Sequence, residues 1–147
     1  MIAWLDKQFA LAVHDRQLAE HGGNAGVRDE NLLEFALVRP QQLHAYGGEP
    51  QPDVVDLSAT LAFGIARNHP FVDGNKRTAH VCYHAFLALN GMESAATAEE
   101  KYLSILALAE GKLSEKRFAE WLRSRVGPEK RRYAAKRRSV KKKARRR

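Results

Sequence analysis

One cysteine in 147 residues, Cys82, leaves no internal disulfide to form, which fits a reducing compartment. Long apolar runs are missing as well. The opening stretch MIAWLDKQFALAVHD is interrupted by Asp6 and Lys7, so it reads as neither a signal peptide nor a membrane span. The expectation is a cytoplasmic protein with no membrane contact. Strand signal is absent too, because apolar residues recur at three and four rather than alternating. Acid is nearly absent from the last twenty residues. Pro128–Arg147 holds twelve of the 25 Lys and Arg but one of the 17 Asp and Glu, a net +11. The preceding 127 residues therefore hold thirteen cations against sixteen acids, a net of −3, so the formal +8 belongs to a tail.

What is there predicts an all-α chain of about six helices and no sheet. A chain of this length buries roughly 68–70% of its unfolded surface and needs no metal to fold. The first helix is expected from Ile2 to His21, stopped by Gly22–Gly23. A second starts at Asp29 as N-cap, carries Leu32, Leu33, Phe35 and Ala36, and is broken by Pro40. Residues 44–52, HAYGGEPQP, read as a loop. A third helix spans Asp53–Arg67 with Val54, Leu57, Leu61 and Ile65 on one face. A fourth is read over KRTAHVCYHAFLALNG, from Lys76, with Ala79, Cys82, Phe86 and Leu89 inward and Gly91 as its stop. Thr97–Glu100 is a capping box opening a fifth, and Ser114 caps a sixth that turns Phe118 and Leu122 inward. The expected division is a domain over 1–127 and a basic tail over 128–147, disordered or helical, because its composition supplies almost no core.

Residues 69–80, HPFVDGNKRTAH, crowd one base, one carboxylate and two cations around the apolar anchor Phe71. They connect two apolar helices, so the segment leads into a helix N-terminus with free N–H groups and the positive end of the dipole. Gly74, Asn75, Lys76 and Arg77 lie where an anion would sit, glycine allowing a phosphate close to the backbone. Arg77 can fork onto phosphate oxygens and Lys76 acts as a point charge. Asp73 makes sense if Mg²⁺ lies between it and the phosphates. His69 is then a base facing a nucleophilic hydroxyl. Taken alone, Asp73-Gly74-Asn75 is also an ordinary capped turn, and a lone histidine before a turn is commonly structural. No strand or preceding glycine makes it a P-loop. His80 and His84, at i and i+4, could suggest a zinc pair but lack a third ligand, and Cys82 reads as core.

The string HPFVDGNKRTA resembles the signature of the Fic/Doc (Fido) family, H-x-F-x-D/E-G/A-N-G/K-R, and is closer to its death-on-curing branch, where Lys76 stands in place of the second glycine. HDRQLAEHGG, VRDENLLEFALVRPQ and LSATLAFGIARNHPF are similar to the family's upstream helices, so the resemblance covers about residues 10–125. It implies a Fido-type helical bundle. It also implies His69 as catalytic base, Asp73 as the Mg²⁺-site acid, and Asn75–Arg77 as the phosphate cradle for ATP. Fic enzymes transfer AMP to a protein hydroxyl. Doc-like toxins instead transfer the γ-phosphate of ATP to a threonine of elongation factor Tu, and Lys76, filling the cradle, favours that reading. His80 stands where many Fic enzymes carry a second arginine.

No S/T-x-x-x-E-G/N inhibitory pattern occurs in the chain, so the resemblance implies a separate antitoxin as partner. Residues 44–52 resemble the flap against which Fido targets dock. The tail lies outside the resemblance. It reads either as a solvated extension or as a salt-sensitive contact to nucleic acid or a ribosome. A competing reading is a non-catalytic nucleic-acid-binding helical protein, which explains the tail but leaves His69, Asp73 and Arg77 together unexplained.

Overall fold

The computed structural model describes residues 1–129; the part of the tail over 130–147 lies outside the described residues. Six helices appear in the expected order: α1 (Lys7–His21), α2 (Glu30–Tyr46), α3 (Val54–Ala66), α4 (Asn75–Leu89), α5 (Ala98–Ala109) and α6 (Glu115–Arg123). Their N-termini follow from short polar side chains. Asp6, Asp29 and Ser114 each accept a backbone N–H, while Asp53 with Asp56 and Thr97 with Glu100 form full capping boxes.

Helix α3 is the axis of the molecule. Ten of its thirteen residues are buried, and α2, α4, α5 and α6 all pack on it. A helix apolar on every side can exist only if neighbours cover it all round. Gly64 lets α2 come close, since a Cβ there would meet Ala36 Cβ at 2.8 Å. Phe118 and Leu122 of α6 and Phe86 of α4 complete the core around it.

Four expectations need correction. Helix α1 begins at Lys7, not Ile2, because Asp6 caps it. The preceding residues lie across the core instead, tied by Asn90, whose amide bonds Ala3 at both ends (2.9 and 3.0 Å). Pro40 does not end α2, which continues to Tyr46. The missing N–H costs one helical bond, but the proline ring is buried beside Trp4, Leu5 and Phe86, and that burial offsets the loss. Leu89 is exposed: the buried face of α4 holds Ala79, Cys82 and Phe86 as expected but widens to Tyr83 and Leu87, and the helix ends at Leu89. Finally, a sheet exists. Strand β1 (Met92–Ser94) pairs antiparallel with β2 (Val126–Pro128), Glu93 opposite Gly127. Three-residue strands are too short to show alternation. Glu129 N–H also reaches Gly91 O at 2.9 Å, so Pro128 and Glu129 pair with the body.

Candidate active site

Residues 67–74 join α3 to α4, residues 75–77 being the first turn of α4, and the chain stiffens this connection from both sides. Residues 26–29 run antiparallel beside it. Val27 bridges Phe71, Val72 N–H donates to Gly26 O at 3.0 Å, and Pro70 O accepts from Arg28 and Asp29 N–H at 2.7 and 3.0 Å. Phe71 is fully buried, as its role of anchor requires. The ring of His14, from α1, lies flat on it with centroids 3.9 Å apart and planes 9° apart. His14 Nε2 faces the Asp73 carbonyl at 2.8 Å, so it is the donor there.

The predicted polar residues come together. His69, Asp73, Gly74, Asn75, Lys76 and Arg77, with Val72, line one cavity of about 280 Å³. Their parts in it differ. Asn75 is buried, its side chain accepting from Phe71 N–H and donating to Phe71 O, each at 2.9 Å. The amide is therefore a staple within the loop, and the backbone N–H is what Asn75 contributes at the start of α4. Gly74 caps that helix at φ +74, with no side-chain cap present. The N–H groups of the first turn keep the anion-seeking character of an open helix end.

His69 sits at φ +51, among the described residues the one non-glycine with positive φ. The left-handed region costs such a residue on the order of 1–3 kcal/mol. Partial burial, then the cations Arg28, Lys76 and Arg67, hold its imidazole below the ordinary histidine range. A neutral ring at neutral pH is what a proton acceptor needs.

Asp73 is held by backbone. Its Oδ2 accepts from Asn24 N–H at 3.2 Å and its Oδ1 from Gly74 N–H at 2.8 Å. These bonds, then Arg77 and His14, keep the carboxyl below the usual carboxylate range. Gly23 makes room for it, as a Cβ there would meet Asp73 Oδ2 at 2.9 Å. The carboxylate is thus ionised at the cavity wall, with a lone pair left on each oxygen. That donor set fits Mg²⁺, which takes one or two carboxylates and fills its remaining positions with water and phosphate oxygens.

Lys76 and Arg77 also wall a second cavity of about 660 Å³, whose floor is Ala98, Tyr102 and Ile105. That volume lies within the roughly 300–1,000 Å³ usual for small-molecule sites. Arg77 is steadied by the Gly22 carbonyl at 3.2 Å. His80 lines this cavity too, whereas His84 donates from Nδ1 to His80 O at 2.8 Å. Burial lowers the His84 pKa to about 4 and pushes the Cys82 thiol up to about 12, so Cys82 is an inert core residue.

Sequence reasoning missed four contributors: His14, Gly23, Asn24 and Arg28. Asn24 acts through its backbone N–H and Gly23 through an absent side chain, and neither leaves a residue-type signature. His14 and Arg28 do carry side-chain chemistry. The signal that could have found them is their place in the stretches HDRQLAEHGG and VRDENLLEF, already singled out for other reasons.

Comparison with known proteins identifies the family. Residues 4–87 match the model of the Fic/DOC family. The chain is 41% identical over 96 residues to "Toxin Doc" of Mycolicibacterium smegmatis, covering 65% of this chain and 71% of that protein. It is 35% identical over 117 residues to "Protein kinase doc" of Escherichia phage P1, covering 80% of this chain and 90% of that one. A likeness that begins before α1, runs through the loop and continues along α4 reaches far beyond a twelve-residue motif: the chain belongs to the Fic/DOC family.

Proposed function

We propose that the protein is a Doc-like toxin that transfers the γ-phosphate of ATP to a hydroxyl of a protein target. The observation that carries this reading is the shared cavity, in which a neutral imidazole, an ionised carboxylate, an open helix end and two cations converge. His69 accepts the proton of the incoming hydroxyl. The freed oxygen forms its bond to the γ-phosphorus, the bond to the bridging oxygen breaks, and ADP leaves. The first turn of α4, with Lys76 and Arg77, holds the phosphate oxygens, and Asp73 holds Mg²⁺, which supplies charge neutralisation when bound. The larger cavity on the far side of Lys76 and Arg77 receives the nucleoside.

Phosphate rather than AMP transfer is favoured by Lys76, which stands in place of the family's second glycine and lines both cavities, and by the kinase name of the phage relative. A threonine of elongation factor Tu is the proposed target, and a separate antitoxin the proposed regulator. Both rest on family likeness.

The test is a pair of labelling reactions with Mg²⁺ and elongation factor Tu, using γ- or α-labelled ATP. Label from the γ position alone is expected, with His69→Ala slower by roughly 10²–10⁴-fold. Label from the α position would make the protein an AMP transferase. Lys76→Gly is expected to lower phosphate transfer and raise AMP transfer. A variant that loses the first without gaining the second would sink the steric role of Lys76.

A further inference from the structure

Arg28 lies outside residues 69–77 and takes no part in the chemistry proposed above, yet its guanidinium is the group most intimately fitted to His69. Nε donates to the His69 carbonyl at 2.6 Å and Nη2 to the Asn68 carbonyl at 2.8 Å. The Arg28 backbone N–H is fixed to Pro70 O at 2.7 Å, so the side chain springs from a point already tied to the same loop. The two carbonyls lie just past α3, where a helix leaves acceptors unsatisfied and a partial negative charge. A planar guanidinium can hold two acceptors in a fixed mutual orientation; an ammonium cannot.

His69 is also the residue in need of holding. Its φ of +51 is a conformation that L side chains leave when nothing opposes them. A return to negative φ would rotate the ring relative to Asp73 and the start of α4. Pro70, fully buried, fixes its own φ and biases its predecessor toward extended backbone at negative φ, so it does not hold His69 in the left-handed region.

We propose that Arg28 is the positioning residue of the base. By forking across the carbonyls of Asn68 and His69, it keeps His69 in the left-handed backbone conformation from which its ring lines the cavity. The proposal rests on the reading of His69 as the proton acceptor. Its structural part stands without it. The charged groups around the His69 ring are Arg28, Arg67 and Lys76, with Asp73 and Arg77 on the same cavity wall. Loss of the Arg28 charge and loss of the fork therefore have separable consequences.

The experiment is heteronuclear NMR on the full-length labelled protein, comparing wild type, Arg28→Lys and Arg28→Ala. The readouts are the His69 Cα and Cβ shifts, which report its backbone conformation, and the pH midpoint of its imidazole. Arg28→Lys keeps the charge and loses the fork. It is expected to move the backbone shifts toward negative-φ values while the midpoint stays low. Arg28→Ala is expected to move both, the midpoint climbing toward the ordinary value of about 6.5. Unchanged Phe71 and Asn75 signals report that the rest of the loop is intact. Phosphate transfer should fall roughly 10- to 100-fold in both variants with little change in nucleotide KM. If both variants keep the wild-type His69 shifts, the proposal is overturned. If Arg28→Ala does not fold, Arg28→Lys decides by its backbone shifts. A wild type that transfers nothing, beside variants that do shift His69, removes the catalytic reading and leaves the positioning role standing.

Discussion

Asn75 is the residue whose expected and observed parts differ most. Its type and place beside a glycine suit a phosphate cradle, yet its amide faces inward and bonds both backbone groups of Phe71. Two buried backbone groups would lose their partners in Asn75→Ala, at about 1–3 kcal/mol each, so a loss of about 2–6 kcal/mol is expected by urea denaturation. Asn75→Asp keeps the acceptor for Phe71 N–H and loses the donor, so it should fall between. A change under about 0.5 kcal/mol in Asn75→Ala would mean that the loop is held by other contacts. The same comparison shows how far the site was legible. His69, Asp73, Lys76 and Arg77 could be read because they are contiguous and their chemistry sits in their side chains. The groups that hold them could not. The Asp73 carboxylate is gripped by the backbone of Asn24, 49 positions away, and the His69 carbonyl by Arg28, 41 positions away.

Helix α4 concentrates the histidines that burial affects most. His84 is packed between Tyr83, at a centroid distance of 4.0 Å, and His80, at 4.5 Å. Its folded pKa of about 4 lies below the ordinary 6.5, with burial the leading cause and the raising bond to His80 O only partly opposing it. The sign follows from proton counts. Between pH 6.5 and 4 the unfolded chain binds a proton on this residue and the folded one does not, so stability falls as pH falls through that window. The drop attributable to His84 is roughly 2–3 kcal/mol, with His80 and His69 adding in the same direction because burial lowers them also. Denaturation midpoints at pH 7 and pH 4.5 should show it, and His84→Phe should flatten the difference. An undiminished difference in that variant would assign the acid sensitivity elsewhere. At this scale the sequence was readable where an end is marked by a side chain, as at Asp29, Asp53, Thr97 and Ser114. It misled where tertiary packing overrides a local rule. Pro40 stays helical because its ring is buried, and β1 and β2 form because the chain after α6 returns to the end of α4.

The molecule as a whole is electrically divided. Residues 1–129 hold thirteen cations and all seventeen acids, a net −4, whereas residues 130–147 hold twelve cations and no acid. The residues proposed to carry the chemistry, His69, Asp73, Lys76 and Arg77, all lie in the first part. Chemistry and basicity are therefore separable by one cut, and Glu129 is the place for it, because ending at Gly127 would remove one of the three β1–β2 residue pairs and the Glu129 N–H bond to Gly91 O. Truncation after Glu129 takes the formal charge from +8 to −4. Contacts of this kind release counterions, so any affinity for nucleic acid should weaken with salt at a slope of about −0.9 per phosphate neutralised on a duplex. The expected outcome is that full-length protein binds unrelated DNA and RNA with a steep salt dependence and the truncated protein does not. Phosphate transfer to purified target should remain within about twofold, since transition-state contacts are untouched. Retained nucleic-acid binding after truncation would place that binding on the folded body and revive the competing reading of a helical nucleic-acid binder. Transfer that falls together with binding would show instead that the cations bring the target to His69, and the two functions would then be one.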